Sequence, residues 1–474
     1  MMVLHMQIIR SVKSISERSE RENALLMKEL FKKLSNITSK VCTGEMIGAD
    51  YRHDEYVGLE GEPEAVVEAG STEEVAAVLR LCHEAGVPVT VRGAGTGQAG
   101  GSVPVNGGVV LSLRGMNRIL GYDEGERTLR VQPGVLLQEV KAAAESHGLS
   151  YPPDPGEQTA TIGGNAATNA SGPNALKYGR TRDYVEDGVL VLADGAIVPL
   201  AGREAALGSE GTLAVITELT LKLVEKPGAD AILLLPFMDN EAAINGAKAI
   251  LTAGHEPAVL ELMDTDLIEF SGRVTGNPVF PVELEGERAA CTLMVTIEGA
   301  DDDEVMERME ALAGLAEEGE IECLDILVGD TPTMKREFWA AHAAFHTSME
   351  AGAKSAFEAN VEVPAEAMAG MIAFAKEAAE AKDLKAYIHC HVGSGGMHIH
   401  VASDKNREES APEARAFLDA VYARTAELGG DVAGEYGIGW AKKGYLSAGA
   451  RGELAGLKAE YDPKGILNPG KVID

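Results

Sequence analysis

Regular patterning begins near Met27, where Met27-Lys-Glu-Leu-Phe-Lys-Lys-Leu34 spaces apolar side chains three and four apart and predicts a helix, followed by a polar connector to residue 56. From Glu62 the pattern changes. Ala65-Val-Val-Glu-Ala69 reads as a strand, and Ser71 with Glu74 three residues on forms a capping pair for a helix over Val75 to Ala85 that stops at Gly86. Val87 to Arg92 returns to strand period, delivers a glycine-packed loop, and Gly107-Gly-Val-Val-Leu-Ser-Leu113 resumes as another strand. Short strands and turns continue to Val224. Past Lys226-Pro-Gly228 the elements lengthen, with helices predicted over Asp239–Ala253, Asp301–Glu318, Lys335–Ala351 and Ala365–Ala381, and strand runs over Ala231–Leu235, Ala289–Glu298 and Ala386–Val401. This mixed order favours an α+β architecture over a doubly wound sheet.

The loop reads Val91-Arg-Gly-Ala-Gly-Thr-Gly-Gln-Ala-Gly-Gly-Ser-Val-Pro104. Backbone without Cβ atoms can turn several N–H groups onto one anion. Gly95-Thr-Gly97-Gln-Ala-Gly100 matches a dinucleotide fingerprint in spacing, but that fingerprint opens a helix and is followed about 20 residues later by a ribose-binding acid. Here the loop runs into a strand, and Asp123 and Glu124 sit in a turn-like Gly-Tyr-Asp-Glu-Gly run. The reading is a diphosphate cradle of another kind. Two more segments accompany it: residues 152–172, which carry no large side chain after Ile162 and suit a flat group lying against the backbone, and the tight turn Gly208-Ser-Glu-Gly-Thr-Leu-Ala-Val-Ile-Thr217.

A length of 474 residues allows two or three structural units. The formal charge of −32 argues against nucleic acid and anionic lipid as partners, because both demand a basic surface. Five scattered cysteines without a Cys-x-x-Cys pair point to a reducing compartment and offer no ligand set for an iron–sulfur cluster. No apolar stretch is long enough to span a bilayer, and the first 26 residues lack the apolar core of a signal peptide, so a cytoplasmic location is expected.

Candidate chemistry gathers near the C-terminal end. Residues 389–400, His-Cys-His-Val-Gly-Ser-Gly-Gly-Met-His-Ile-His, hold two histidine pairs at i, i+2, which a strand places on one face. Gly434-Glu-Tyr-Gly-Ile-Gly439 adds a carboxylate and a phenol.

With these segments in place, the chain resembles the para-cresol methylhydroxylase and vanillyl-alcohol oxidase flavoproteins, in the branch of D-lactate dehydrogenase and the glycolate oxidase flavin subunit, from about residue 57 to the end. The resemblance implies an N-terminal extension and helix (1–56), a two-subdomain FAD-binding domain (57–226), an α+β substrate or cap domain (227–450) and a tail (451–474) that returns to the flavin. It places the FAD pyrophosphate at Arg92, Gly93, Ala94, Gly95, Thr96, Gly97 and Gln98. Pro153, Asp154, Thr159, Ile162, Gly163 and Gly164 would lie along the flavin, with Thr168, Asn169 and Ser171 close by. Glu210, Gly211, Thr212 and Ile216 would face the adenine side, and Asn468 in Tyr461-Asp-Pro-Lys-Gly-Ile-Leu-Asn-Pro-Gly-Lys471 would approach the flavin. The first loop contains no histidine, so the FAD is expected to be non-covalent. The segment Ala196–Leu207 is shorter than its counterpart in relatives.

The same resemblance implies a divalent metal (zinc, manganese or iron) on His391, His398 and Glu435, with His389 and His400 in packing or supporting roles. The catalytic half departs from the family pattern. Ser394 and Gly396 replace an aspartate and an asparagine, Tyr436 replaces the histidine that accepts the proton, and His342, three residues after Trp339, replaces the arginine that grips a substrate carboxylate. A phenol is a poor base near neutral pH, and histidine lacks arginine's bidentate fork. His346, one turn beyond His342, and Lys335 or Arg336 are further candidates for the lost clamp. Tyr436, His342 and Glu435 are the expected catalytic residues. The implied activity is metal-assisted hydride transfer from a 2-hydroxy acid to the flavin, with a quinone, an electron-transfer flavoprotein or an iron–sulfur subunit as electron acceptor. A homodimer, an electron-relaying subunit of a larger redox complex, and an alcohol oxidase of the same fold stay open.

Overall fold

The computed structural model describes residues 26–473; the expected absence of a leader concerns residues that lie almost wholly outside this range. Residues 26–34 form the predicted first helix and bury Leu30 and Leu34 in the core of the first sheet. The sheet of that core is ordered Val41–Thr43, Ala65–Glu68, Val109–Ser112, Val89–Arg92. The last three strands are parallel neighbours. Thr72–Ala85 supplies the helical crossover between two of them, with Ser71 accepting from Glu74 N and Gly86 closing it in the left-handed region, as the capping signals predict. The crossover from Val89–Arg92 to Val109–Ser112 carries no helix. It is the glycine loop, which is why the dinucleotide fingerprint does not apply.

A second, antiparallel sheet follows in the order Ile119–Asp123, Thr128–Val131, Ala214–Lys222, Val185–Leu192, Ile197–Pro199. Residues 152–172 are not one extended loop. Ile162–Thr168 is a short helix, with Ile162 and Ala166 packed in the second core.

The third sheet has seven strands, ordered Leu327–Gly329, Ala229–Phe237, Cys291–Gly299, Val259–Asp264, Lys385–His391, Gly396–Ser403, Ser355–Glu362. The predicted single run 386–401 is a hairpin that turns at 392–395. Alternate side chains divide the sheet. Leu260, Leu262, Ala359, Val361, Ile388, Cys390, Met397 and Ile399 enter a large apolar core under the helices Asn240–Thr252, Asp302–Glu317, Met368–Glu380 and Arg407–Glu427. The residues between them, Glu261, Glu358, Asn360, His389, His391, His398 and His400, fall on the opposite face because side chains alternate along a strand. The predicted helix over 335–351 is two helices, Pro332–Ala343 and Phe345–Gly352, hinged at Ala344. The helices Thr265–Thr275, Arg407–Glu427 and Ala448–Tyr461 had no sequence expectation. The last of them leads the chain back to the first sheet, where Leu467 bridges to Val89. Among the described residues, no helix is long and apolar enough to cross a membrane, and all five cysteines are free.

Candidate functional site

Where the glycine loop, the helix Ile162–Thr168 and the turn at Glu210 meet, the chain forms a cleft with about 840 Å³ of empty space, part of it open to solvent. Its wall includes Gly93, Ala94, Gly95, Thr96, Gly97, Gly163, Gly164, Thr168, Glu210, Gly211, Tyr436 and Asn468. The two strands that bracket the loop hold it open, and Arg92 anchors its base. The buried Arg92 guanidinium donates to His53 O (2.8 Å) and Ser102 Oγ (3.2 Å), so it braces the loop from behind. Gly95 sits at φ +87°, and a Cβ there would collide with that guanidinium. Among the described residues, no acceptor takes the N–H groups of Gly93 through Gly97. Asn165 Nδ2, also in the wall, is buried without a partner. Free N–H groups on consecutive residues and an orphaned buried amide suit a polyanionic ligand with flat polar edges, and a diphosphate dinucleotide is such a ligand. The residues present therefore fit FAD.

Other expected cofactor residues lie elsewhere. Gln98 lines a neighbouring cavity. Asp154 is held by Gln158 Nε2 (2.7 Å) and Lys141 (2.6 Å), and Thr159 is exposed; in this segment the wall begins only at Ala160 and Thr161. Pro153 and Ile162 are buried, Asn169 caps the short helix at φ +51°, and Thr212 donates to Ser209 O. Ile216 points into the second core. Ser171 reaches across to the C-terminal half, where its hydroxyl donates to Glu435 Oε1 (3.1 Å).

Glu210 and Asn468 tie the halves together. Asn468 accepts from Val91 N (3.0 Å) and donates to Glu210 O (2.5 Å). The Glu210 carboxylate accepts from Ile438 N (2.7 Å) and Gly439 N (2.9 Å), which fixes the loop that carries Glu435 and Tyr436. Gly437 turns there at φ +80°, and a Cβ would lie 2.7 Å from the Glu210 carboxyl carbon. Burial pushes the Glu210 carboxyl up to about 7.

The polar face of the third sheet forms the second half of the site. His391 Nε2 and His398 Nε2 are 3.1 Å apart, and Glu435 places Oε1 3.2 Å from the first and Oε2 3.3 Å from the second. Two imidazole nitrogens each about 2.0–2.1 Å from one ion would be separated by roughly 3–3.4 Å, so these donors could share a cation. Each ring is held from behind by a carboxylate. His391 Nδ1–H donates to Glu261 Oε1 (2.6 Å) and His398 Nδ1–H to Glu358 Oε1 (2.8 Å), which turns both Nε2 atoms toward Glu435. Burial disfavours charged rings, yet Glu261 and Glu435 raise His391 well above its ordinary value, and Glu358 and Glu435 raise His398 to about 9. Against the same burial, His391 and His398 hold Glu435 well below the usual carboxylate range. The donor set of two imidazoles and one carboxylate fits a divalent cation.

His342 lies behind this cluster: its Nε2 meets Glu261 Oε2 (3.0 Å), while His346 Nδ1 meets Glu358 Oε2 (3.0 Å). The hinge at Ala344 lets the two histidines serve different carboxylates. His342 is thereby placed to position Glu261 and, through it, His391; the expected contact with a substrate carboxylate is not what its geometry offers. Lys335 is occupied by Asp230 (2.7 Å). Tyr436 Oη–H donates to Glu358 Oε1 (3.1 Å), and burial followed by the charges of Glu358 and Glu435 raises the phenol well above its ordinary value. That shift is opposite to what a proton acceptor needs, so Tyr436 acts here as a donor. His389 stacks on His398 with ring centroids 4.3 Å apart. Glu261, Glu358 and Asn360 had drawn no attention in the sequence. The available signal was an acid inside the apolar run Ala258-Val-Leu-Glu-Leu-Met263 and alternating polar residues in Phe357-Glu-Ala-Asn-Val361.

Two family patterns match the chain: an FAD binding domain over residues 63–201 and the C-terminal domain of FAD linked oxidases over residues 226–472. The chain belongs to the FAD-linked oxidases. Among similar proteins, a D-lactate dehydrogenase of Anaerostipes hadrus is 38% identical, across 96% of this chain and 99% of that protein. The glycolate oxidase subunit GlcD of Bacillus subtilis (strain 168) is 34% identical, across 89% and 92%. Among solved structures, p-cresol methylhydroxylase with substrate bound superposes with a TM-score of 0.77 at 17% identity, covering 95% and 97%. An alkyldihydroxyacetonephosphate synthase does so with a TM-score of 0.74 at 20% identity, covering 93% and 84%. These two establish the fold shared with this FAD-linked oxidoreductase.

Proposed function

We propose that this FAD-linked oxidoreductase dehydrogenates a 2-hydroxy acid of the D-lactate or glycolate type, with a divalent cation held by His391, His398 and Glu435. The observation that carries the reading is the convergence of those three donors, each imidazole backed by its own carboxylate, in a protein whose flavin cleft is walled in part by the neighbouring Tyr436. The substrate class follows the names of the two relatives. FAD supplies an acceptor for the hydride that leaves the carbinol carbon. A divalent cation supplies Lewis acidity to the substrate hydroxyl.

The chain's own groups divide the remaining work. The N–H groups of Gly93 to Gly97 bind the diphosphate, and Asn165 offers Nδ2 to the cofactor. Glu261 and Glu358 fix the two ligand rings, and His342 fixes Glu261. Glu435, oriented through Oε1 by Ser171, supplies the anionic donor beside the two rings. Tyr436 stays protonated and holds Glu358 beside His398. Reoxidation falls to an external acceptor: a quinone, an electron-transfer flavoprotein or an iron–sulfur partner.

The test is anaerobic absorption spectroscopy of the flavin-loaded protein mixed with D-lactate, L-lactate and glycolate, before and after treatment with a metal chelator. Bleaching that one of these acids causes and the chelator abolishes is the expected result. Bleaching indifferent to chelation removes the cation from the reading, and a flavin unmoved by every 2-hydroxy acid removes the substrate class.

A further inference from the structure

On the far side of Glu358 from His398 lies a second group of ligand-type side chains. His346, Glu358 and His400 each bring a ring nitrogen or carboxylate oxygen within 4.8 Å of the others. All three line a separate cavity, open to solvent on one side, whose wall also contains Glu350 and Gln98. We propose that this trio is a second divalent-cation site, of the class that takes zinc or manganese, so that the protein binds two cations joined through the Glu358–His398 pair.

The geometry supplies two independent reasons. Glu358 is divided between two tasks: Oε1 receives His398 Nδ1–H and Tyr436 Oη–H, while Oε2 faces His346 Nδ1 at 3.0 Å and His400 Nδ1 at 3.6 Å. One carboxylate thus looks into both groups. The second reason is His400. It is 2% exposed, its Nε2 has no partner among the described residues, and its Nδ1 lies too far from Glu358 for a hydrogen bond. A buried imidazole with Nε2 unpartnered and Nδ1 3.6 Å from a carboxylate, set in a cavity wall beside a second imidazole, is short of one electron-pair acceptor, and a cation is such a group.

The charged surroundings agree. Glu350 Oε1 lies 3.7 Å from His346 Nε2 and adds negative charge at the cavity wall. The two arginines of that wall are engaged elsewhere: Arg415 pairs with Asp419 (3.1 Å), and Arg407 stacks over the Phe357 ring. The site is built by cross-strand register, since Glu358 pairs with His400 between adjacent strands, and by the hinge at Ala344 that swings His346 over them. It shares a carboxylate with the first cluster but none of that cluster's cation ligands.

Equilibrium dialysis of the flavin-loaded protein against buffered zinc, with zinc and flavin counted per chain, separates the sites. The expected count is two zinc ions for wild type, one for His400→Ala, one for His346→Ala and one for His391→Ala, with flavin content unchanged in all four. His346 is 36% exposed, so its replacement keeps the test valid should the buried His400→Ala variant fail to fold. A wild-type count of one that His391→Ala abolishes overturns this proposal and leaves the first site standing. A count of one that His346→Ala abolishes and His391→Ala does not upholds this site against the first. Retention of two ions in both His400→Ala and His346→Ala overturns it outright.

Discussion

Replacing Glu210 by glutamine should change the pH dependence of stability in a direction fixed by the structure. The Glu210 carboxyl is buried where the two halves of the chain meet, and burial lifts it from 4.5 to about 7 against the N–H groups of Ile438 and Gly439. Between those values the folded protein keeps a proton that the unfolded chain has released. Wild-type stability therefore falls as pH rises from 4.5 to about 7 and remains lower above that range. At about 1.4 kcal/mol per unit, the full effect is about 3 kcal/mol. Glutamine cannot ionise, so the variant lacks this dependence. It also has one acceptor oxygen where glutamate has two, and leaving Ile438 N–H or Gly439 N–H without its partner costs roughly 1–3 kcal/mol at every pH. Relative to wild type, Glu210→Gln should be destabilised near pH ~5 and should recover by about 3 kcal/mol near pH ~8. Urea unfolding of both proteins across that range, followed by far-ultraviolet circular dichroism, reads the difference directly. A stability difference between the two that stays constant with pH to within about 1 kcal/mol would refute the assigned environment of Glu210.

The remaining expectations concern the cleft and the cluster. Gly95→Val should abolish flavin retention, because both the φ of +87° and the Arg92 guanidinium exclude a side chain; a normal flavin-to-protein absorbance ratio would count against the cradle. Asn468→Ala strands Val91 N–H and Glu210 C=O and should cost roughly 2–5 kcal/mol, visible as a lower thermal midpoint in calorimetry; an unchanged midpoint would show that the tail is not held through this residue. Tyr436→Phe should lower the rate of flavin reduction by less than about 100-fold and leave the shape of its pH profile intact, since the phenol is a donor; a loss of about 10⁴-fold with one limb of the profile gone would make it the base after all. Glu261→Gln should weaken zinc binding by about 10–100-fold in a competition titration with a chromophoric chelator while flavin content holds, and unchanged affinity would mean that Glu261 does not orient His391.

Short-range signals carried much of this protein. Ser71, Glu74 and Gly86 end their helix through contacts within one turn, so the sequence alone was sufficient to bound it. The glycine loop announced a cradle, because freedom from Cβ atoms is a property of composition, and strand period at both of its ends excluded the helix that a dinucleotide fingerprint requires. The histidine pairs likewise showed their common face, since alternation along a strand is fixed by the backbone. What the sequence could not decide is which distant groups answer those histidines. Glu261 stands 130 positions from His391, and Glu358 stands 40 from His398; only the order of the seven-stranded sheet and its register set them within hydrogen-bond distance. The same holds for His342 and His346, which occupy one predicted helix and yet reach different carboxylates because the chain turns at Ala344 under the packing of Phe345 in the core. Arg92 is the converse case: the sequence placed it in the cradle, and tertiary contacts with His53 and Ser102 drew its charge behind the loop. Local propensity fixes which side chains share a face, while the free energy of burying a charged or polar group depends on partners that only the folded sheet supplies.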